Sequence, residues 1–377
     1  MCILSSIRNI WLATVQISKM PDFKIDSSIQ MPLLPRPIIS IGAGGIVREA
    51  HQPAYKKANW PVLVVYDPML EKATQLAHDF SIPNVCVSLE EAVALGPVNA
   101  VFDIAVPAAE IINVLPLLPD NAVVMIQKPL GSNIEEATVL RNICKQKKFT
   151  AAMNFQKRFI PSIVAAKRLI DNGTIGELHH IEIRMNIYTP WPIWEFLFGI
   201  PRMEMLYHSI HYMDLMRYFL GNPTSVYAKT VKHPQMMQLA SVRSVIILNY
   251  GDTIQAYINT NHGNKYGMKH QNAFIQWEGT KGAIRHQLGK NINFPEGVAD
   301  SFEISLLEEG IEAEWQSYPI EGVWYPDAFI GSMANLMCYA EGSEKILINS
   351  IDSAYQTMQL LEAAYKSNEQ GGMLVEW

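Results

Sequence analysis

A chain of 377 residues with 49% apolar and 18% charged residues is long enough for two domains, each with its own core. Its formal net charge of −6, with no long basic run, argues against an electrostatic grip on nucleic acid or on an anionic membrane. Cys2, Cys86, Cys144 and Cys338 are scattered without a C-x-x-C pair, which predicts buried thiols in a reducing compartment.

Residues 1–35 differ in kind from the rest. The apolar run 10–17 is too short and too interrupted by Thr14 and Gln16 for a signal segment, and Met20 and Met31 offer later starts. The expectation is a poorly ordered leader on a cytoplasmic protein. The most apolar long stretch, 92–118, contains Asp103, Glu110 and several prolines, so it is not a spanning helix.

From 37 to 156 apolar strands alternate with helices. Strands are predicted at 37–42, 62–67, 84–87, 100–106, 122–127 and 149–155, with helices notably at 68–80, 108–118 and 133–147. Near-continuous apolar runs such as Ala122-Val-Val-Met-Ile predict strands covered on both faces, hence a doubly wound, mostly parallel sheet. The first strand runs directly into Gly42-Ala43-Gly44-Gly45-Ile46, and the second ends on Asp67, 25 residues beyond Gly42. Glycines at 42 and 44 allow a tight turn and close approach to a pyrophosphate, while the following helix start supplies free amides. A carboxylate at 67 can accept hydrogen bonds from an adenosine ribose. Val47 stands where a third glycine is usual, so the strand–turn–helix–strand–acid context carries the dinucleotide-binding expectation. Asp67 followed by Pro68 favours NAD, and Lys72 keeps NADP open.

After the fifth strand comes Gln127-Lys128-Pro129, a turn that belongs at the carboxyl edge of the sheet, facing the cofactor. A lysine there can stabilise a substrate alkoxide, or it can be an ordinary surface lysine.

Beyond Pro161 the pattern changes. A helix near 163–171 precedes strands at 178–188, 224–232, 242–250, 253–261, 272–278, 282–287, 301–307 and 313–319. Helices are predicted at 205–220, 326–342 and 350–368. This is an α+β domain with a large, mainly antiparallel open sheet. Its helices suffice for one face, so the other predicts a homodimer or homotetramer. The domain bounds are 1–35, 36–156 and 157–377.

The helix 205–220 opens with Tyr207-His208-Ser209-Ile210-His211. Tyr207 and His211, four apart, share a face of a continuous α-helix. A histidine here can take a hydroxyl proton, or it can fill buried hydrogen bonds. A metal on His208-x-x-His211 lacks a third ligand, so none is expected. Asp214 can orient a neighbour or pair with Arg217 one turn on. Trp191 and Trp194 can stack on a sugar or cyclitol ring, or anchor a loop; Trp324-Tyr325 is a second aromatic cluster.

Together these pieces resemble the Gfo/Idh/MocA oxidoreductases over residues 37–370. The resemblance rests on the glycine turn, His51, Asp67-Pro68, Val106-Pro107, Lys128-Pro129, Lys157-Arg158-Phe159-x-Pro161, His211 with Asp214, Leu220-Gly221 and the closing helix 354–365. It implies an N-terminal Rossmann domain holding NAD(P), a carbohydrate or cyclitol substrate, and oligomerisation through the second sheet. It implies Lys128 as the active-site lysine and His211 as the proton-transfer histidine; beside them Tyr207 or His208 can donate to the substrate. Gly42, Ala43, Gly44, Gly45, Ile46, Asp67, Val106, Pro107, Gln127 and Lys128 are the expected cofactor contacts. His208, Trp191, Trp194 and Arg158 are the expected substrate contacts. Two departures stand out: Gln127 replaces the usual Glu, and Tyr207 stands where many members place Asp. The expected reaction is hydride transfer with a CH–OH group; NAD-assisted glycoside cleavage or elimination, and a non-enzymatic sugar sensor, are the alternatives.

Overall fold

The computed structural model describes residues 25–373. The expected leader lies outside the described residues as far as residue 24. Residues 25–36 run over the surface and are tied down. The Leu33 and Leu34 amides donate to the Glu341 carboxylate, and the Arg36 guanidinium donates to the carbonyls of Asn99 and Ala340.

Six parallel strands form the first sheet: β1 (Ile38–Ile41), β2 (Val62–Tyr66), β3 (Asn84–Cys86), β4 (Val101–Ile104), β5 (Val123–Ile126) and β6 (Thr150–Met153). Their order is β3-β2-β1-β4-β5-β6, the doubly wound arrangement expected of the sequence. Alternate residues of each central strand go to opposite cores, which is why the runs are apolar without interruption. Ile38, Val101, Val123 and Met125 pack with Ala50, Ala54 and Tyr55 of the first helical segment. Ile39, Phe102, Val124 and Ile126 pack on the other side with Leu89, Ala137 and Leu140. The helix Phe329–Glu341 returns from the far end of the chain to the Ile38 face, burying Ile330, Met333 and Met337 there.

The second sheet has eight strands: β7 (Leu178–Asn186), β8 (Ser225–Val231), β9 (Arg243–Asn249), β10 (Gln255–Asn261), β11 (Asn272–Gly279), β12 (Gly282–Gln287), β13 (Ser301–Leu306) and β14 (Gln316–Ser317). The order is β14-β13-β12-β11-β7-β10-β9-β8, antiparallel throughout except for the parallel pair β7–β10. Helices Pro161–Asp171, Ile210–Leu220 and Ile351–Gln370 share the core on one face with Ile183, Ile246, Ile258 and Trp277. The other face presents Tyr227, Val245 and Ile247 to solvent. Cys86, Cys144 and Cys338 are free and buried. Among the described residues no helix is long and apolar enough to cross a membrane.

The sequence expects a continuous α-helix over 205–220. Instead, Met205–Ser209 is a π turn and regular α-helix begins at Ile210. The same widening occurs at Val47–His51 and Trp324–Ala328. In a wider turn, residues four apart drift off a common face, so the shared face predicted for Tyr207 and His211 is not a property of regular α-helix here.

Candidate active site

The glycine turn leaves β1 with Gly42 at φ +109°, and an added Cβ would lie 2.4 Å from the Ala105 carbonyl oxygen. Only glycine fits. At Gly44 and Gly45 a Cβ would meet nothing within 4 Å, so the backbone there borders open space. Asp67 bridges the turn: Oδ2 accepts from the Ala43 amide and Oδ1 from the Met69 amide, both at 2.8 Å. Each oxygen keeps a second lone pair for a ribose hydroxyl. Ile46 packs into the cores beside the turn, and Val106 is partly buried past the end of β4, where Pro107 leads into a short 3-10 turn. Gly42→Ala is expected to cost about 1–3 kcal/mol through its forbidden φ and the carbonyl clash. Urea denaturation measures this; a variant as stable as the parent would show that the turn is not constrained as described.

Beneath Lys128 lies a buried polar chain. His51 Nδ1 is 2.8 Å from Asp103 Oδ2, to which Tyr55 also donates at 2.8 Å. Asp103 accepts the His51 Nδ1 proton, and the Gln127 amide, oriented by its carbonyl contact with the Lys128 amide, requires His51 Nε2 to accept. The Gln127 amide nitrogen donates to that Nε2 at 2.9 Å, and the Gln127 carbonyl oxygen accepts from the Lys128 amide at 2.8 Å. Position 127 therefore both donates and accepts. An amide does this beside a neutral imidazole; a carboxylate does not. The glutamine that departs from the family pattern is matched to its neighbours.

Above this chain, Lys128 Nζ donates to the Tyr207 carbonyl oxygen at 2.7 Å and lies 5.6 Å from the Tyr207 ring centroid. Desolvation pushes the Lys128 ammonium down to about 8. Burial pushes His208 and His211 well below the ordinary imidazole range, and the positive charges of Lys128 and Lys157 add to that shift, so both rings are neutral. Their Nδ1 atoms are buried without hydrogen-bond partners. Burial also raises the Tyr207 phenol, with Glu136 adding to the effect, so it stays a donor.

The helix that carries the histidines is anchored from behind. Arg158 Nε and Nη2 fork onto Asp214 at 2.6 and 2.5 Å, while Nη1 donates to the Ile348 carbonyl at 2.8 Å. This corrects the expectation of Arg158 as a substrate contact: its guanidinium is buried and engaged in packing the elements together. It also corrects the pairing of Asp214, whose partners are Arg158 and Thr357. Arg217 instead bonds Asn222, Gln356, Thr357 and the Ser353 carbonyl.

Trp191 is buried and stands edge-on to His208, with ring centroids 5.1 Å apart. It fixes that imidazole and is not an open stacking platform. Trp194 is half-buried against Phe294 at 5.5 Å. Sequence reasoning missed four residues of this neighbourhood. Lys157 is buried, with Nζ 3.2 Å from the Trp324 ring centroid. Glu204 is fully buried; burial alone would raise its carboxyl, but His262, Ser244 and Ser209 outweigh that and hold it low. Ser209 donates to it at 2.7 Å, Ser244 donates to its other oxygen, and His262 Nε2 lies at 3.4 Å. His262 in turn contacts the His208 ring at 4.9 Å between centroids. Asp103 completes the set; a lone acid inside Val101-Phe-Asp-Ile was its only signal in sequence. Among the described residues no cluster of three His, Cys, Asp or Glu side chains could hold a metal ion.

A doubly wound sheet with a bare glycine turn and a lysine past the end of β5, next to a sheet domain whose helix presents histidines, defines a two-domain dinucleotide-binding oxidoreductase. Comparison with known proteins makes the class specific. Residues 38–155 match the oxidoreductase family with an NAD-binding Rossmann fold, and 163–285 match the GFO/IDH/MocA C-terminal domain. The chain belongs to the Gfo/Idh/MocA oxidoreductase family. It is 23% identical over 261 residues to scyllo-inositol 2-dehydrogenase (NAD(+)) of Bacillus subtilis, covering 64% of this chain and 71% of that one. It is 24% identical over 185 residues to inositol 2-dehydrogenase of Rhizobium meliloti, covering 48% and 54%. Levoglucosan dehydrogenase, in complex with NADH and levoglucosan, shares the fold at TM-score 0.74 and 18% identity, over 89% of this chain and 98% of that chain. An oxidoreductase from Agrobacterium radiobacter, in complex with NAD+, L-tartaric acid and magnesium, does so at TM-score 0.74 and 16% identity, over 90% and 98%. The residues present fit a dinucleotide: the turn is bare at Gly44 and Gly45, and Asp67 is held with lone pairs to spare.

Proposed function

We propose that this protein is a dehydrogenase acting on a CH–OH group of a sugar, cyclitol or sugar derivative. The observation that carries the reading is a neutral, buried His211 beside the Lys128 ammonium at the carboxyl edge of an NAD-binding sheet. NAD, when bound, supplies the hydride acceptor. Its diphosphate would lie on the backbone of Gly42, Ala43, Gly44, Gly45 and Ile46, with Val106, Pro107, Gln127 and Lys128 along its path. Asp67 would take the ribose hydroxyls, and its charge favours NAD over NADP.

His211, unprotonated at neutral pH, accepts the hydroxyl proton. Lys128 donates to the same oxygen as it gains charge. Tyr207, protonated, donates to a neighbouring substrate oxygen. The glutamine-linked chain through His51 and Asp103 fixes the Lys128 backbone. His208, held by Trp191, borders the substrate. The bare apolar face carrying Tyr227, Val245 and Ile247 supports a homo-oligomer through the second sheet, and the cysteine usage supports a cytoplasmic setting.

The test is a panel of inositols, aldoses and sugar acids incubated with purified protein and NAD, followed by the absorbance of NADH. At least one class should reduce NAD. If none does, while NAD binding is confirmed, the dehydrogenase reading fails.

A further inference from the structure

Two lysines, Lys128 and Lys157, are desolvated close together in the site. Lys157 is 3% exposed, and its ammonium makes no hydrogen bond. It rests against the Trp324 ring at 3.2 Å and the Tyr212 ring at 5.4 Å. Lys128 is near enough for mutual repulsion, which adds to burial in lowering the Lys157 pKa. Lys128 itself gives one proton to the Tyr207 carbonyl and keeps two.

The carboxylates of the neighbourhood are engaged elsewhere. Glu204 takes Ser209, Ser244 and His262. Asp214 takes Arg158 and Thr357. Asp103 takes His51 and Tyr55 through Oδ2 alone, and Glu136 accepts from Ser132 and Asn133. Asp300 attracts Lys157 from a distance, but its own hydrogen bond is from the Gly289 amide at 2.6 Å. Tyr207, where an acid would have neutralised a lysine, is a neutral donor. A buried amine facing aromatic rings, with Asp300 as its distant counter-charge, is costly to protonate in the free protein, and a ligand that brings a negative charge relieves that cost.

We propose that Lys157, with Lys128 beside it, recognises a carboxylate, so that the substrate of this enzyme is an acidic sugar derivative of the uronate type. The proposal rests on the dehydrogenase reading for its reaction and deepens it by naming the substrate class. A carboxylate suits the site better than a phosphate. Phosphates are usually met by a guanidinium fork or a nest of backbone amides, and the Arg158 fork is closed onto Asp214.

The test is equilibrium binding to the full chain saturated with NAD, read by intrinsic tryptophan fluorescence. The probes are D-glucuronate against D-glucose, D-galacturonate against D-galactose, and D-glucose 6-phosphate. At least one uronate should bind about tenfold or more tightly than its neutral parent, the advantage of one charge-assisted contact. Lys157→Met should bring that ratio towards one, and Lys157→Arg, which keeps the charge, should retain part of it. The proposal is overturned if neither uronate binds, if uronate and aldose bind alike, or if the phosphate is preferred. It is also overturned if Lys157→Met weakens acid and neutral ligands equally, which would make Lys157 a packing residue only. Binding is read without turnover. A uronate preference with no NADH formed with any sugar would therefore sink the dehydrogenase reading alone, and NADH from neutral sugars without an acid preference would sink this one alone.

Discussion

Lys128→Met should lower kcat by about two to three orders of magnitude and leave the protein folded and slightly more stable near neutral pH. The first effect follows from removing the donor that meets the developing alkoxide, a contact worth about 10²–10³ in rate at comparable sites. The second follows from linkage. The ammonium titrates at about 8 in the folded chain, below its ordinary value of 10.5. Below about pH 8 both folded and unfolded states carry the proton, and the native state bears the full cost of desolvating it. Between about 8 and 10.5 the folded state releases its proton first, and stability rises with pH. Methionine removes the charge, so its advantage is greatest below about pH 8 and shrinks above it. The side chain is partly solvent-accessible, and the variant leaves the Tyr207 carbonyl without its donor, so the net gain is on the order of 1 kcal/mol or less. Denaturant titrations near neutral pH and near pH 10 measure it. In the parent, kcat/KM should fall as pH rises through about 8, because the deprotonated amine stabilises an alkoxide poorly. A variant that keeps its kcat within about tenfold of the parent would remove Lys128 from the chemistry.

The first sheet was legible because its signals are local. Each strand of 38–153 is an apolar run ended by a turn, and Gly42 and Asp67 stand at the spacing that a nucleotide turn demands. The second sheet was legible as strands but not as an order. The parallel β7–β10 pair depends on β8 and β9 adding at the edge, which no local pattern states. The last strand is only Gln316–Ser317, paired with Glu303 and Ile304 at the edge of the sheet. Within the site, Lys128, His208, His211 and Tyr207 were visible as motifs. Their environment was not. Gln127 read as a defect until His51 supplied the acceptor that its amide needs. The acid missing at Tyr207 has a counterpart at Glu204, one helical turn earlier, but its partners His262 and Ser244 come from another part of the chain. A π turn at Met205–Ser209 has no sequence signature, and it sets which side chains face the cleft. Lys157 figures in the sequence only within the Lys157-Arg158-Phe159-x-Pro161 stretch of the resemblance, with no role given, and its burial against Trp324 comes from packing that the sequence does not state.

Breaking the Arg158–Asp214 pair should cost the fold more than any other single substitution considered, about 3–5 kcal/mol for Arg158→Met. The side chains are only 5% and 1% exposed, so removing the guanidinium strands a carboxylate with Thr357 as its remaining donor. The loss is not confined to one pair. Arg158 sits in the turn Gln156–Phe159, Asp214 in the helix that carries His211, and Ser353 and the Ile348 carbonyl belong to the closing helix and its approach. One guanidinium thus fixes three elements around the site. Arg158→Met with Asp214→Leu should recover much of the stability, since an apolar pair replaces two desolvated charges, so urea denaturation of the four-member cycle should give a coupling of at least about 3 kcal/mol. Turnover separates anchoring from substrate contact. An anchoring arginine predicts that the restabilised double variant regains activity wherever His211 returns to place, with KM close to the parent. An arginine that touches substrate predicts a raised KM that no stabilising partner repairs. If the single variant loses less than about 1 kcal/mol, the pair is too well solvated to anchor anything, and the position of His211 must be set by the aromatic contact with Phe155 instead.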